Sequence, residues 1–303
     1  MSRPVRRSLS FPHIAQTTVQ GGRKLISDMQ LWYVPALAEF IGTAFFLYLA
    51  IGGADAVTRG APEGIGILGV AFSYGIGLMV TAWAFGQISG AHFNPAITLA
   101  NLIVGHVSIP KAIMYFICQL LGGCVGVAMA RATTPSSERL GQVNYLHNGE
   151  SPARGFFLEF WLTCILCYVY LITTEERSKC AFMAALPIGF TLFSCNLMAA
   201  RYTNASINPA RAFATSLVSR NFTYYHWIYW FGPFGGAVVA AAIYILFCFF
   251  DYDVVAQTNF AKLQAEIAAK EGAKVDASSP AAVEAGASSS YDPNYSEANI
   301  RRP

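Results

Sequence analysis

The chain has 303 residues, of which 54% are hydrophobic and only 12% charged, whereas a soluble domain carries about 25% charge. Mean hydropathy is positive, so lipid is the expected solvent for much of the surface. The net charge of +3 is small and no Lys/Arg run alternates with aromatics, which excludes a nucleic-acid-binding surface.

Residues 1–30 read as a polar cytosolic arm with Arg3, Arg6, Arg7, Arg23 and Lys24. They lack the apolar stretch and small-residue cleavage site of a signal peptide. Ser8 and Ser10 follow Arg6-Arg7 and are candidate phosphorylation sites, where a phosphate adds about two negative charges. The arm reads either as a regulatory segment or as a plain orientation signal.

A spanning helix needs about 20 mostly apolar residues. Six runs meet or approach this: 31–54, 65–85, 112–130, 156–174, 180–200 and 227–250. They are uniformly apolar, without the period-two alternation of a membrane barrel. Helices are expected, because every backbone polar group inside a bilayer needs an internal partner.

Segments 94–105 and 208–219 are too short to cross. Each opens with Asn-Pro-Ala. Proline suits a first helical turn, where its missing N–H costs nothing, and the preceding Asn can cap. Each segment reads as a half-helix. The order of three spans with one half-helix then repeats, as repeat one (31–130) and repeat two (154–250), with the motifs 114 residues apart at 94 and 208. Three spans per half is an odd number, so the copies insert with opposite topology. The two half-helices dip in from opposite faces and meet near the midplane. The expected class is an all-α membrane protein of six transmembrane helices plus two re-entrant half-helices, in one domain over 31–252.

Seven cysteines, Cys118, Cys124, Cys164, Cys167, Cys180, Cys195 and Cys248, fall in or beside apolar runs. Only Cys164-x-x-Cys167 has a metal-like spacing, and no second pair or His cluster accompanies it. They read as packed core residues, with no metal and no cofactor. Gly122/Gly126 and Gly232/Gly236 are small-residue pairs that permit close helix crossing. In the tail, 253–303, Phe260, Leu263 and Ile267 suit a short amphipathic helix, and the Ala/Ser/Glu-rich stretch after Gly272 is expected to be disordered. The basic arm favours cytosolic termini, although Arg131, Arg139 and Arg154 sit in a loop that this orientation puts outside. Asn221-Phe222-Thr223 is a weak glycosylation sequon.

Chemically, two half-helix N-termini meeting in the membrane present unpaired N–H groups and two positive dipole ends. Asn94, Pro95 and Ala96 with Asn208, Pro209 and Ala210 would form a constriction that bonds water oxygen and repels cations and protons. Glu39 and Glu159 occupy matching places, in Ala-Glu-Phe and Leu-Glu-Phe. Buried carboxylates there, together with His92, are expected to support the irregular loops before the half-helices. Arg211 directly follows the second motif. Facing a wet lumen, it would bond solute and repel cations. No nucleophile–base–acid set or metal cluster supports an enzyme. An alternating-access transporter also has inverted repeats and broken helices, but it needs a coupling site, for which only Glu39 and Glu159 are available.

The runs Ser89-Gly90-Ala91-His92-Phe93-Asn94-Pro95-Ala96-Ile97-Thr98 and Ser206-Ile207-Asn208-Pro209-Ala210-Arg211 resemble the signatures of the aquaporin, or major intrinsic protein, family. The resemblance covers about residues 34–250. It implies a right-handed six-helix bundle, one pore per subunit and a homotetramer in the lipid bilayer, passing water without a cofactor. It also maps an outer filter onto Tyr74, Asn196, Ala205 and Arg211. Water-selective members resemble Phe, His, a small residue or Cys, and Arg at these places. Asn196 departs from that pattern and would loosen selectivity toward glycerol, hydrogen peroxide or ammonia. A one-residue slip in span five brings Cys195 or Leu197 to its place. Ala212 after Arg211, where glycerol channels resemble Asp, and Tyr229-Trp230 favour water. Ala205 and the long tails resemble fungal orthodox members. The plasma membrane is the expected location, with a vacuolar or other internal membrane as the alternative.

Overall fold

The computed structural model describes residues 28–60, 63–134, 143–147, 149–174 and 183–277. Ser8, Ser10, Arg139, Cys180 and the tail beyond 277 lie outside these residues. All regular structure among the described residues is helical: α1 (Asp28–Gly60), α2 (Glu63–Ser89), α3 (Pro95–Ile103), α4 (Ile109–Thr133), α5 (Pro152–Thr174), α6 (Ala185–Ala199), α7 (Pro209–Val218), α8 (Ile228–Phe249) and α9 (Tyr252–Ala277).

Five of these helices are long and apolar enough to cross a membrane, and α6 is a shorter apolar helix. Span five was expected over 180–200. Its helix begins only at Ala185, preceded by a short 3₁₀ turn, with 175–182 outside the described residues. The spans carry both core and lipid-type faces: on α5, Leu162, Leu166 and Cys167 are buried while Phe157, Trp161 and Ile165 are exposed. Several hydroxyl side chains inside the spans turn back onto their own helices, whereas Thr43 Oγ1 on α1 is buried without a partner. Thr81 donates to the Gly77 carbonyl at 2.7 Å and Thr163 to the Glu159 carbonyl at 2.7 Å, which satisfies them without water.

The architecture is reciprocal. Helix α1 packs on α2 and α4, and α5 packs on α8 and α6, while α2 against α6 joins the halves. Each half-helix crosses over: α3 packs on α8, and α7 packs on α4. Glycines permit the tightest crossings. A Cβ on Gly122 would overlap the Phe40 carbonyl, and one on Gly126 would overlap the Ala44 carbonyl, both on α1. In the second half a Cβ on Gly236 would overlap the Phe160 carbonyl of α5. Gly122 and Gly236 are therefore equivalent, and side chains there would push the first and third spans of each half apart.

Helix α9 differs from expectation by running on through Ala277, past Gly272. Good helix formers such as Ala and Lys surround that glycine and carry the helix through it. Val254, Val255, Phe260, Leu263 and Ile267 on this helix are exposed.

Candidate functional site

Both half-helices start at the motif. Pro95 and Pro209 are the first helical residues, and Asn94 and Asn208 are extended N-caps. Asn94 Oδ1 accepts from the Ala96 N–H at 2.9 Å. Asn208 Oδ1 accepts from Ala210 N–H at 2.9 Å and Arg211 N–H at 3.3 Å. The oxygen of each amide is thereby committed to its own helix. Each NH2 then reaches into the opposite repeat: Asn94 Nδ2 donates to the Ile207 carbonyl and Asn208 Nδ2 to the Phe93 carbonyl, both at 2.8 Å. An amide nitrogen carries two donors, so each Asn keeps a second N–H beyond this bond.

The loops entering the half-helices take an unusual path. Ala91, Phe93, Ala205 and Ile207 have φ of 54°, 49°, 44° and 55°, a left-handed region that costs L-residues energy. Alternating this conformation with ordinary ones turns neighbouring N–H groups the same way. Buried carboxylates collect them. Glu39 Oε1 accepts from Ser89 Oγ at 2.6 Å and His92 N–H at 2.9 Å, and Oε2 from Phe93 N–H and Gln119 Nε2, both at 2.8 Å. Glu159 Oε1 accepts from Thr203 Oγ1 at 2.6 Å and Ser206 N–H at 2.8 Å, and Oε2 from Ile207 N–H at 2.6 Å. Both glutamates are fully buried, and these bonds offset the desolvation of a charge at such depth.

The hydroxyls add a second rung. Ser89 Oγ accepts from Ala91 N–H at 3.0 Å, and Thr203 Oγ1 from Ala205 N–H at 3.1 Å. Tyr115 donates to the Ser89 carbonyl at 2.8 Å, and Tyr229 to the Thr203 carbonyl at 3.2 Å. Thr203, Tyr115 and Gln119 were not singled out from sequence, and Ser89 and Tyr229 were named there only within a signature run and as a mark of water selectivity, not for this loop-holding role. One signal was available: Ser89/Thr203 and Tyr115/Tyr229 are separated by the same 114 residues as the motifs. His92 is buried, its Nδ1 lies 3.0 Å from Thr98 Oγ1, and its ring meets Tyr115 and Tyr170 edge-on.

Arg211, in the first turn of α7, is 1% exposed. Its Nε donates to Tyr74 Oη at 3.0 Å and its Nη1 to the Ala205 carbonyl. The structure thus brings Tyr74, Ala205 and Arg211 together. Asn196 is fully buried on α6, with Nδ2 donating to the Leu192 carbonyl at 2.9 Å and Oδ1 without a partner. The neighbouring residues face elsewhere: Leu197 is 41% exposed, and Cys195 turns its thiol to the Leu162 carbonyl of α5. A narrow cavity of about 10 Å³ links the two Asn side chains to Tyr74 and Arg211. Phe46, Leu78, Leu166 and Leu192 contribute its apolar wall.

The profile described as "Major intrinsic protein" matches residues 27–244. The chain belongs to this family. It is 35% identical over 230 residues to aquaporin-8 of Botryotinia fuckeliana, covering 73% of this chain and 70% of the relative. It is 40% identical over 214 residues to the lens fiber major intrinsic protein of Gallus gallus, covering 69% and 79%. Three further aquaporins of the same fungus are matched over 61%, 51% and 44% of their lengths. The X-ray structure of the aquaglyceroporin from Plasmodium falciparum superposes with a TM-score of 0.65 at 21% identity, over 70% of this chain and 95% of that one. That likeness establishes the fold, which is the aquaporin fold that the resemblance of the signature runs implies and that the six spans and two half-helices are in keeping with. Major intrinsic proteins are membrane channels rather than enzymes, and this member is an integral, multi-pass membrane protein.

Proposed function

We propose that the chain is a passive water channel whose path runs between the tips of α3 and α7 and past Tyr74, Asn196, Ala205 and Arg211. The observation that carries this is the reciprocal pair of Asn bonds at 2.8 Å. It clamps two half-helix N-termini together in the membrane interior while leaving one N–H on each amide for a passing water. Two positive helix ends with the Arg211 cation above them disfavour ions and protons. A purified sample in liposomes is expected to give linear, unsaturable osmotic flux in stopped-flow shrinkage, lost when Asn94 and Asn208 are both replaced by Asp. Saturable flux that depends on an ion gradient would instead indicate an alternating-access carrier.

A broader neutral-solute channel is the second reading, favoured by Asn196. Its NH2 is committed to Leu192 and its Oδ1 is buried without a partner, and we read that oxygen as the acceptor held for solute where the family resemblance leads one to expect a His. Replacing Asn196 with His is expected to reduce any glycerol or peroxide flux relative to water. An unchanged ratio would discard Asn196 as a filter residue. The reading includes a homotetramer in the plasma membrane, with both termini in the cytosol as the basic arm favours.

A further inference from the structure

The Tyr74 hydroxyl does something that a phenyl ring at this place would not. The Arg211 guanidinium carbon lies 4.1 Å from the Tyr74 ring centroid, a stacking distance that any aromatic would supply. In addition, Nε donates to Tyr74 Oη at 3.0 Å. Nη1 is taken by the Ala205 carbonyl. The guanidinium is therefore tied on both flanks, to α2 on one side and to the loop before α7 on the other. Nη2 remains buried without a partner. Tyr74, Asn196, Ala205 and Arg211 are all 1% exposed or less. The cavity between the Tyr74–Arg211 pair and the two Asn tips holds about 10 Å³, at the lower bound for one water.

We propose that the Tyr74 hydroxyl is a latch that positions Arg211 across the lumen and sets the size limit of the filter. It rests on the channel reading above. Latched, the passage admits one water at a time. Solutes larger than water cross only through conformers in which the Nε–Oη bond is broken and the guanidinium has swung aside. The unpartnered Nη2 is the donor left for the passing molecule. Stacking would persist without the hydroxyl, so the latch and the ring make separable contributions.

The test compares water and glycerol permeability in liposomes carrying wild type, Tyr74→Phe or Tyr74→Leu, with reconstituted protein quantified per vesicle. A hydrogen bond from a charged donor contributes at least about 1.4 kcal/mol, or roughly tenfold in the latched/unlatched equilibrium. Tyr74→Phe is therefore expected to raise the glycerol-to-water ratio roughly tenfold. Tyr74→Leu is expected to raise it at least as far. A wild-type ratio in Tyr74→Phe overturns the latch. So does a rise confined to Tyr74→Leu, which would assign the barrier to the ring. Wild-type vesicles no more permeable to water than empty ones would end the channel reading itself, and the latch with it. Conducting wild type with an unmoved Tyr74→Phe ends the latch alone.

Discussion

Glu159 illustrates how few side chains hold the candidate site in shape. Its carboxylate gathers two backbone N–H groups and the Thr203 hydroxyl within 2.6 to 2.8 Å, while φ is positive at Asn204, Ala205 and Ile207. Removing the charge weakens all three bonds at once. Glu159→Gln is expected to lower stability by about 2–3 kcal/mol, read as a fall in detergent melting temperature. Tyr229→Phe, which removes only the bond to the Thr203 carbonyl, is expected to cost about 1 kcal/mol. Equal losses for the two would sink the account of Glu159 as organiser of the loop. At this scale the sequence was partly readable. Asn-Pro at each half-helix start is a strong local signal, because Asn caps and Pro fits the first turn. The left-handed backbone at Phe93 and Ile207 carries no such signal, since bulky residues normally avoid it. It exists only because buried carboxylates lie within reach, and that is tertiary information. Gln119 was missed for the same reason: a lone polar residue in an apolar run does not name its partner.

Among the elements, the crossings of α1 with α4 and of α5 with α8 are the least tolerant of added volume. Gly126 faces the Ala44 carbonyl with no room for a Cβ. Overpacking a tight contact typically costs about 1–3 kcal/mol, and a clash with backbone cannot be relieved by a rotamer change. Gly126→Leu is therefore expected to lower the yield of folded protein on size exclusion. Gly86→Leu, at a half-buried position of α2 whose Cβ site is open, is the control and is expected to behave as wild type. Similar yields for both would refute the glycine-mediated crossing. The glycine pairs and the long spans were legible because small-residue spacing and sustained hydropathy are local patterns. The α6 start was not, as hydropathy reports apolar character and says nothing about where regular hydrogen bonding begins. The reach of α9 was underestimated because an Ala/Ser/Glu-rich composition with few large apolar residues was taken to mark disorder, although Ala and Lys are good helix formers.

On the scale of the whole molecule, the inverted repeat dictates the pairing of surfaces. Residues such as Phe72 and Trp83 on α2 and Trp161 and Ile165 on α5 are about half exposed, and they leave broad apolar faces for lipid or for further copies. The proposed tetramer predicts that native mass spectrometry from mild detergent returns four copies, and a monomer at every detergent tested would reject it. Repeat order and insertion parity were legible from sequence, since they follow from counting spans. The partner of each short helix was not, because nothing local in α3 points to α8. That exchange has a consequence for biogenesis. While the ribosome is still making the second repeat, α3 is in or near the lipid without the surface it will finally rest on, and its capping Asn has no Ile207 carbonyl to bond. The first repeat must therefore wait in an unfinished state, exposed to quality control, until the last span arrives. Premature termination before α8 should yield a protein that is inserted but unlocked and quickly degraded, not a half-channel.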